Sequence, residues 1–285
     1  MTRTKQPADP TLTVHIPVSI PVSIPENFAE SDIEAGLHRL ERAAALIEQA
    51  AQTLAPVHCD LSVIIPVYNE PKTVLEIVHR VRRLAISKQI IVVNDGSTDD
   101  TPLALRALER YKDVRVVHHP ANAGKGAALQ TGFRMATGKF VIVQDADLEY
   151  DPSDILRVIE PLINGTADVV YGSRYLAQVH QDPSLVHRFG NWVLTTLSNL
   201  MTGYRLTDME TCYKAFRRDL LCQIEIEQKR FGFEPEITAK LARRGVRITE
   251  VPVRYESRGW EEGKKIGIRD LVSTLYCILR YRFRP

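Results

Sequence analysis

The chain has 285 residues, 44% of them hydrophobic and 25% charged, an ordinary globular composition that suffices for one large domain or two modest ones. Lys and Arg total 37 against 35 for Asp and Glu, and a formal net charge of +2 argues against binding nucleic acid by bulk electrostatics. Four scattered cysteines (Cys59, Cys212, Cys222 and Cys277) without C-x-x-C spacing, a polar start and no window of ~20 apolar residues argue against a disulfide framework, a zinc site and a membrane span, and predict a reducing cytosolic setting.

In chain order, residues 1–60 form an extension unlike the rest. Pro17-Val-Ser-Ile followed by Pro21-Val-Ser-Ile-Pro25 is a direct repeat whose regular prolines forbid a helix and favour extended chain, as an edge strand, a docking segment or a linker. Ser31-Asp-Ile-Glu34 reads as a capping box opening an amphipathic helix with Ile33, Leu37, Leu40, Ala44 and Ile47 on one stripe. That stripe is expected to pack on its own domain or a dimer mate, with a membrane surface as the other choice.

From Leu61 strands and helices alternate. Leu61 to Tyr68 is an apolar, β-branched run of the kind found in buried parallel strands, and Lys72 to Leu84 is a helix with Val74, Ile77, Val78, Val81 and Leu84 on one face. Strands follow at Gln89–Val93, Val114–His118 and Phe140–Gln144, with helices at Thr101–Arg110 and Lys125–Thr137. A fifth strand covers Asp168–Tyr171, then a helix Glu234–Arg244 leads into a strand Ile248–Tyr255. The repeated strand–loop–helix units predict an α/β, Rossmann-like, doubly wound, mostly parallel sheet, which binds ligands at the carboxyl ends of its strands. The last segment, Ile268–Pro285, is predicted as an amphipathic helix carrying Leu271, Val272, Leu275, Ile278 and Leu279 on one face and arginines 269, 280, 282 and 284, with Trp260, Tyr276 and Tyr281 nearby. A basic, aromatic helix of this kind suits an anionic membrane interface.

The strand ends carry the chemistry. Successive tips read Tyr68-Asn-Glu70, Asn94-Asp-Gly-Ser-Thr-Asp99, Asn122-Ala-Gly-Lys-Gly126 and Asp145-Ala-Asp-Leu-Glu149. One such tip is explained by helix capping; four in a row facing one crevice are not. On an extended segment Asp145 and Asp147 share a side, and two hard oxygen ligands suit Mg²⁺ or Mn²⁺, with Glu149 able to complete the set. Asp95 can accept from a nucleobase or ribose. Gly124-Lys125-Gly126 at a helix start favours an anion, although it is not a P-loop. Glu256 to Ile266, small, charged and aromatic, reads as a loop able to close over a diphosphate.

These residues are similar to glycosyltransferase family 2, the GT-A fold, over about 61–258. The resemblance rests on Ile65-Pro-Val-Tyr-Asn-Glu70, Val93-Asn-Asp-Gly-Ser-Thr-Asp99, Asn122 to Leu129, Gln144-Asp-Ala-Asp-Leu-Glu149, Gly172-Ser-Arg174 and Asp208-Met-Glu-Thr-Cys-Tyr-Lys-Ala-Phe216, in the family's order and spacing. It is nearest to the dolichyl-phosphate mannosyltransferase and polyprenyl-phosphate glycosyltransferase branch. The resemblance implies that Asp95 contacts the base, with Pro66, Tyr68 and Glu70 lining the pocket. It implies that Asp145, Asp147 and Glu149 hold the donor diphosphate through Mg²⁺ or Mn²⁺, and that Arg174 and Arg188 bind phosphate groups. Lys125, Lys214, Arg217, Lys264 and Lys265 complete the inventory of cations for two adjacent anions.

The expected reaction is inverting transfer of mannose, glucose or an N-acetylhexosamine from a GDP- or UDP-sugar to a polyprenyl or dolichyl phosphate. A phosphate acceptor is already anionic near neutral pH and needs no strong base. Asp208 and Glu210 stand by as bases for a hydroxyl acceptor, or as structural carboxylates holding Lys214 or Arg188. A glycan or glycolipid hydroxyl is the alternative acceptor, and a non-catalytic nucleotide-sugar scaffold the alternative class. Nucleotidyl transfer is excluded by the absence of a Gly-rich loop after the first strand. Organisation is expected as an extension (1–60), a GT-A domain (61–258) and a lid loop with a C-terminal helix (259–285). Members of this branch with their own membrane helices carry them after the point where this chain ends. Attachment is therefore expected to be peripheral, at the cytoplasmic face of a membrane, through the last helix or a membrane partner protein, with a homodimer as the other expected partner.

Overall fold

A computed structural model describes residues 60–176, 185–230, 232–257 and 268–283. The proline repeat, the helix expected from Ser31, and the loop containing Trp260, Lys264 and Lys265 lie outside the described residues. The described strands are β1 (Leu61–Val67), β2 (Lys88–Asn94), β3 (Val114–His118), β4 (Phe140–Val143), β5 (Val169–Ser173), β6 (Lys214–Arg217) and β7 (Ile248–Pro252). The helices among these residues are α1 (Val74–Arg82), α2 (Thr101–Arg106), α3 (Lys125–Met135), α4 (Ile155–Ile163), α5 (Leu185–Thr202), α6 (Arg218–Leu221), α7 (Phe233–Arg243) and α8 (Ile268–Phe283).

The strands form one sheet in the order β3-β2-β1-β4-β6-β5-β7. Every pairing is parallel except those of β6, which runs antiparallel to both β4 and β5. The apolar runs of β1, β2 and β4 occupy the middle, where both faces are covered, and Val63, Ile64, Ile90, Ile91, Val92, Val141 and Ile142 are wholly buried. Helix α1 buries Val74, Ile77, Val78 and Val81, the stripe its spacing predicts.

Besides α4, α5 and α6, which the expected elements did not include, three features depart from expectation. The first is β6, a short strand that the alternating pattern hides because Lys214-Ala-Phe-Arg217 has no apolar run of its own. Its reversal matters: with Tyr171 opposite Lys214 and Phe140 opposite Arg217, the segment leading into β6 emerges at the carboxyl ends of β4 and β5. Second, α2 stops at Arg106, short of the expected Arg110, as the chain tightens into i→i+3 bonds from Leu108 N to Leu105 O and from Glu109 N to Arg106 O. The third is α8. Ile278 is buried and Leu275 packs on the core, so that two of the described side chains of the face expected to lie on a membrane pack on the protein itself. Leu279 is the partly exposed exception on that face, and Tyr276 and Phe283 also point outward.

The start of α3 is set by close approach. Gly124 has φ 100°, a conformation that favours glycine. At Gly126 an added Cβ would lie 2.0 Å from the Gln228 carbonyl oxygen. Residues 228–229 run across this turn, with the Lys229 carbonyl accepting from Ala127 N at 3.0 Å. Gly126→Ala is therefore expected to cost about 1–3 kcal/mol through overpacking against backbone. Thermal unfolding followed by circular dichroism should show a midpoint several degrees lower; an unchanged midpoint would mean that residues 228–229 yield freely.

Candidate active site

The tips of β1 and β2 are locked to each other. Asn69, with φ 56°, donates its N–H to Ser97 Oγ at 3.0 Å, and its Oδ1 accepts the Thr98 N–H at 2.9 Å. Beside it the Glu70 N–H donates to Thr101 Oγ1 at 2.8 Å, while Glu70 Oε2 accepts from Thr73 Oγ1 at 2.7 Å. Pro66 and Tyr68 are half-buried in the same tip. Asp95 is almost fully buried and turned toward the start of α3. Its two oxygens accept from the backbone N–H groups of Ala123 (3.0 Å) and Gly124 (2.7 Å), and His119 Nδ1 stands 2.8 Å away. In this structure the carboxylate expected to meet a nucleobase organises the loop before α3.

Lys125 follows at the first position of α3. Its ammonium lies 2.9 Å from Asp145 Oδ1 and 3.3 Å from Glu234 Oε1. Burial alone would lower its pKa, but these two carboxylates outweigh that and hold it well above the ordinary lysine value. The cation expected to meet a diphosphate is thus the bridge between the acidic loop and α7. Glu236, two residues further along α7, accepts the N–H groups of Glu227 (2.7 Å) and Gln228 (2.8 Å), and Lys240 pairs with it at 2.7 Å. This chain of contacts holds residues 227–228 against the Gly-Lys-Gly turn.

The acidic loop is a turn and not the extended segment that the D-x-D spacing suggested. Leu148 has φ 64°, and the Glu149 N–H donates to Asp147 Oδ1 at 3.2 Å, a local bond that curls the chain. A leucine in the left-handed region costs on the order of 1–3 kcal/mol and persists only where its surroundings impose it. Here the clamp is the chain after β7: the Glu256 N–H donates to the Glu149 carbonyl at 2.8 Å, and Tyr255 OH donates to Glu149 Oε2 at 2.8 Å. Among the described residues no three acidic, His or Cys side chains converge into a metal cage. Glu149, expected as a third ligand, is engaged by Tyr255. Asp145 lies against Lys125 and Asp147 accepts the Glu149 N–H, and two such carboxylates fit Mg²⁺ or Mn²⁺, which draw the rest of their ligands from water and substrate phosphate.

On the other side of Tyr255 lies Arg174. Its guanidinium carbon sits 5.1 Å from the Tyr255 ring centroid. Asp208 binds it side-on, Nε to Oδ2 at 2.7 Å and Nη2 to Oδ1 at 2.8 Å, and also accepts the Arg174 N–H at 3.1 Å. Arg174 Nη2 further donates to Asn191 Oδ1 on α5 at 3.4 Å. Arg188, half-buried, lies three residues before Asn191 on that helix and hence on a neighbouring face position. Asp208 is fully buried, so it holds Arg174, whereas the sequence offered Lys214 or Arg188 as its partner.

Lys214 is not brought to this crevice. It is 0% exposed, and its ammonium donates to the carbonyls of Met209 (2.7 Å) and Thr211 (2.6 Å). Burial pushes its pKa down to about 8 against the pull of Glu234, Asp208 and Glu210. Arg217 points elsewhere, to Asp219 at 3.2 Å. Between the two carbonyls that Lys214 holds sits Glu210, whose Oε1 is buried without a hydrogen-bond partner. Burial, aided by Glu234 and Asp208 and opposed by Lys214 and Arg174, raises its carboxyl to about 8.

With this geometry in view, comparison with known proteins is decisive. The model of glycosyl transferase family 2 matches residues 62–224. The chain belongs to glycosyl transferase family 2. It is 34% identical over 215 residues to an undecaprenyl-phosphate mannosyltransferase of Micrococcus luteus, covering 72% of this chain and 86% of that one. It is 32% identical over 214 residues to a polyprenol monophosphomannose synthase of Mycolicibacterium smegmatis, covering 69% and 77%. Among solved structures, glucosyl-3-phosphoglycerate synthase from Mycobacterium tuberculosis, in complex with Mn²⁺, UDP-glucose and phosphoglyceric acid, superposes with TM-score 0.62 at 21% identity over 80% of this chain and 81% of that one. The fold is GT-A, and the chain is a glycosyltransferase.

Several residues of this glycosyltransferase site escaped the sequence reading. His119, Glu234 and Tyr255 lie outside the Asp- and Gly-rich tips. Only Glu234, an acid in the first turn of a helix, carries a recognisable signal, and that signal reads as ordinary dipole capping.

Two stability measurements test the charge network. Asp208→Ala would strand a largely buried Arg174, and urea unfolding should report a loss of about 3–5 kcal/mol; a loss below ~1 kcal/mol would equate the pair with a surface ion pair. In the folded chain Glu210 holds a proton that the unfolded chain releases above the ordinary glutamate value of 4.5. Wild-type stability should therefore fall, relative to Glu210→Gln, as pH rises from 4.5 to about 8, by roughly a few kcal/mol, then level off. Parallel pH profiles for the two proteins would show Glu210 to be ionised throughout.

Proposed function

We propose that this chain transfers a sugar from a nucleoside diphosphate sugar to a polyprenyl phosphate, in one displacement with inversion at the anomeric carbon. The observation that carries this reading is the Tyr255 bridge. Its hydroxyl holds Glu149 of the acidic loop, and its ring lies against Arg174, so the carboxylates suited to a metal–diphosphate and the cation suited to a second anion stand one tyrosine apart. The relatives named for undecaprenyl-phosphate and polyprenol substrates support the acceptor class.

In this reading Asp145 and Asp147 hold Mg²⁺ or Mn²⁺, which when bound neutralises charge on the departing diphosphate. Lys125 fixes the Asp145 carboxylate, and Asp95 keeps the loop before α3 folded against the nucleotide. Arg174, with Arg188 on α5, orients the acceptor phosphate. The attacking phosphate oxygen forms the bond to the sugar as the bond to the nucleoside diphosphate breaks. The acceptor needs no deprotonation, since a second phosphate pKa near 6 leaves it anionic at neutral pH. Asp208, buried in its bidentate pair, is then a positioning residue for Arg174 and not a base. Either UDP or GDP suits the site, and the sugar stays open among mannose, glucose and N-acetylhexosamines. A polyprenyl acceptor also places the work at a membrane surface, and we read the chain as peripheral there, on the cytoplasmic side.

A hydroxyl acceptor is the second reading: it would need a base, and Glu210, whose Oε1 is buried without a hydrogen-bond partner, is the carboxyl that would serve once its proton, held by a pKa raised to about 8, is shed. The two part company in one assay. UDP- and GDP-sugars are incubated with Mn²⁺ or Mg²⁺ and a short polyprenyl phosphate, with release of nucleoside diphosphate and formation of the lipid-linked sugar as readouts. Asp147→Ala is expected to lose at least ~100-fold in kcat/KM and Glu210→Gln to keep most of its activity. Nucleoside diphosphate release indifferent to the lipid phosphate would overturn the acceptor assignment. Loss of turnover in Glu210→Gln would favour the hydroxyl reading.

A further inference from the structure

Helix α5 is apolar on two faces. One face packs on the core through Leu194, Leu197 and Met201. The other carries Phe189, Trp192, Val193 and Leu200, at spacings of three, four and seven, and these are 65%, 61%, 37% and 75% exposed. Phe189 and Trp192 lie together, ring centroids 5.9 Å apart. From Phe189 to Tyr204 the sequence contains no Asp, Glu, Lys or Arg, while Arg188 and Arg205 stand at its two ends. A helix in water ordinarily turns charge outward, and a run this long without it means that the outer face meets something apolar.

We propose that this outward stripe of α5 is the surface through which the enzyme inserts into the interface of an anionic lipid bilayer. Three features select a bilayer. The stripe combines an indole and a phenyl ring with aliphatic side chains, the mixture that settles at the headgroup–acyl boundary. Its flanks are cationic and α5 holds no acid, so the charge complements anionic headgroups. The stripe also adjoins the site: Asn191, next to Trp192, accepts from Arg174. An acceptor with its phosphate at Arg174 would thus have an apolar surface beside it for its chain. Helix α8, packed beside α5, adds Tyr276, Leu279 and Phe283 as exposed apolar residues and Arg282 as an exposed cation. No helix among the described residues is long and apolar enough to cross a membrane. The inference rests on the polyprenyl phosphate reading only for its purpose, not for its observations.

The chain has two tryptophans, so Trp260→Phe leaves Trp192 as the reporter. Vesicles of phosphatidylcholine with 30% phosphatidylglycerol, flotation and Trp192 emission make the test. Binding with a blue shift, and quenching by brominated acyl chains, is expected with these vesicles and weakly or not at all with pure phosphatidylcholine. Val193→Glu and Leu200→Glu, each at an exposed position, should weaken partitioning by at least about tenfold without moving the melting midpoint. Vesicle binding equal to wild type in both variants overturns the proposal. So does Trp192 emission already blue-shifted and shielded from acrylamide before vesicles are added, which would mean that protein covers the stripe: a second copy if light scattering reports a dimer, residues 1–59 if it reports a monomer. Turnover with a short, water-soluble prenyl phosphate is measured in parallel. Its failure with vesicle binding intact would overturn the acceptor reading alone; loss of vesicle binding with turnover intact would overturn the docking surface alone.

Discussion

A carboxylate carried into a protein at the end of a buried strand costs several kcal/mol unless a cation or converging N–H groups meet it. The whole site is organised by that requirement. Asp95 is met by two backbone N–H groups and His119, and in meeting them it shapes the entry to α3. Asp145 and Glu234 share Lys125, which ties the acidic loop to α7. Asp208 takes both prongs of Arg174. Each pairing joins elements far apart in sequence, so the same contacts that satisfy buried charge also fix the geometry of the crevice. Glu210 fits the rule from the other side. With Asp145, Glu234 and Asp208 already beside Lys125, Arg174 and Lys214, a further buried negative charge is disfavoured, and burial together with Glu234 and Asp208 raises the Glu210 carboxyl to about 8.

The reversal of β6 is what brings the second half of this network into reach. Had Lys214–Arg217 run parallel to its neighbours, residues 208–213 would have entered the sheet from the opposite end. Entering antiparallel, they lie beyond the carboxyl ends of β4 and β5, where Asp208 reaches Arg174 and Tyr213 OH donates to Gln144 Oε1 at 2.5 Å. Lys214 then closes the segment by donating to two of its carbonyls, which explains why a cation is buried there at all.

How far the sequence could be read follows from which forces were local. Strands β1 to β5, helix α1 and the strand-end location of the site were legible because apolar runs and helical periodicity report burial directly. Strand β6 was not, since four residues with two cations have no period to detect, and only their neighbours make them a strand. The acidic loop was legible as chemistry but not as shape: alternation holds for extended chain, and the turn at 146–147 followed by a left-handed Leu148 breaks it before Glu149, which Tyr255 and Glu256 hold from a hundred residues away. The roles of Lys125, Asp208 and Lys214 depended on partners that spacing cannot supply. Helix α8 shows the same limit, since an amphipathic pattern states that a face is buried but not against what.

That last point separates α8 from α5. A stripe with charge on its far side, as in α8, is satisfied by packing on the domain, and the structure packs it so. In α5 the pattern has apolar residues both where the core needs them and where it does not, and only the structure tells the two sets apart. Leu194, Leu197 and Met201 are explained by the core; Phe189, Trp192, Val193 and Leu200 are explained by nothing in the described protein. Asn191 lies between these two faces and accepts from Arg174, so the outward apolar surface begins next to the cation read as binding the acceptor. On the proposed reading this solves a problem of solvents. A nucleotide sugar is a soluble polyanion and a polyprenyl phosphate an amphiphile, and their phosphates must come within bonding distance without either leaving its own medium. A crevice with a diphosphate site on one side of Tyr255, and an arginine backed by an apolar helix on the other, lets each arrive from its own phase.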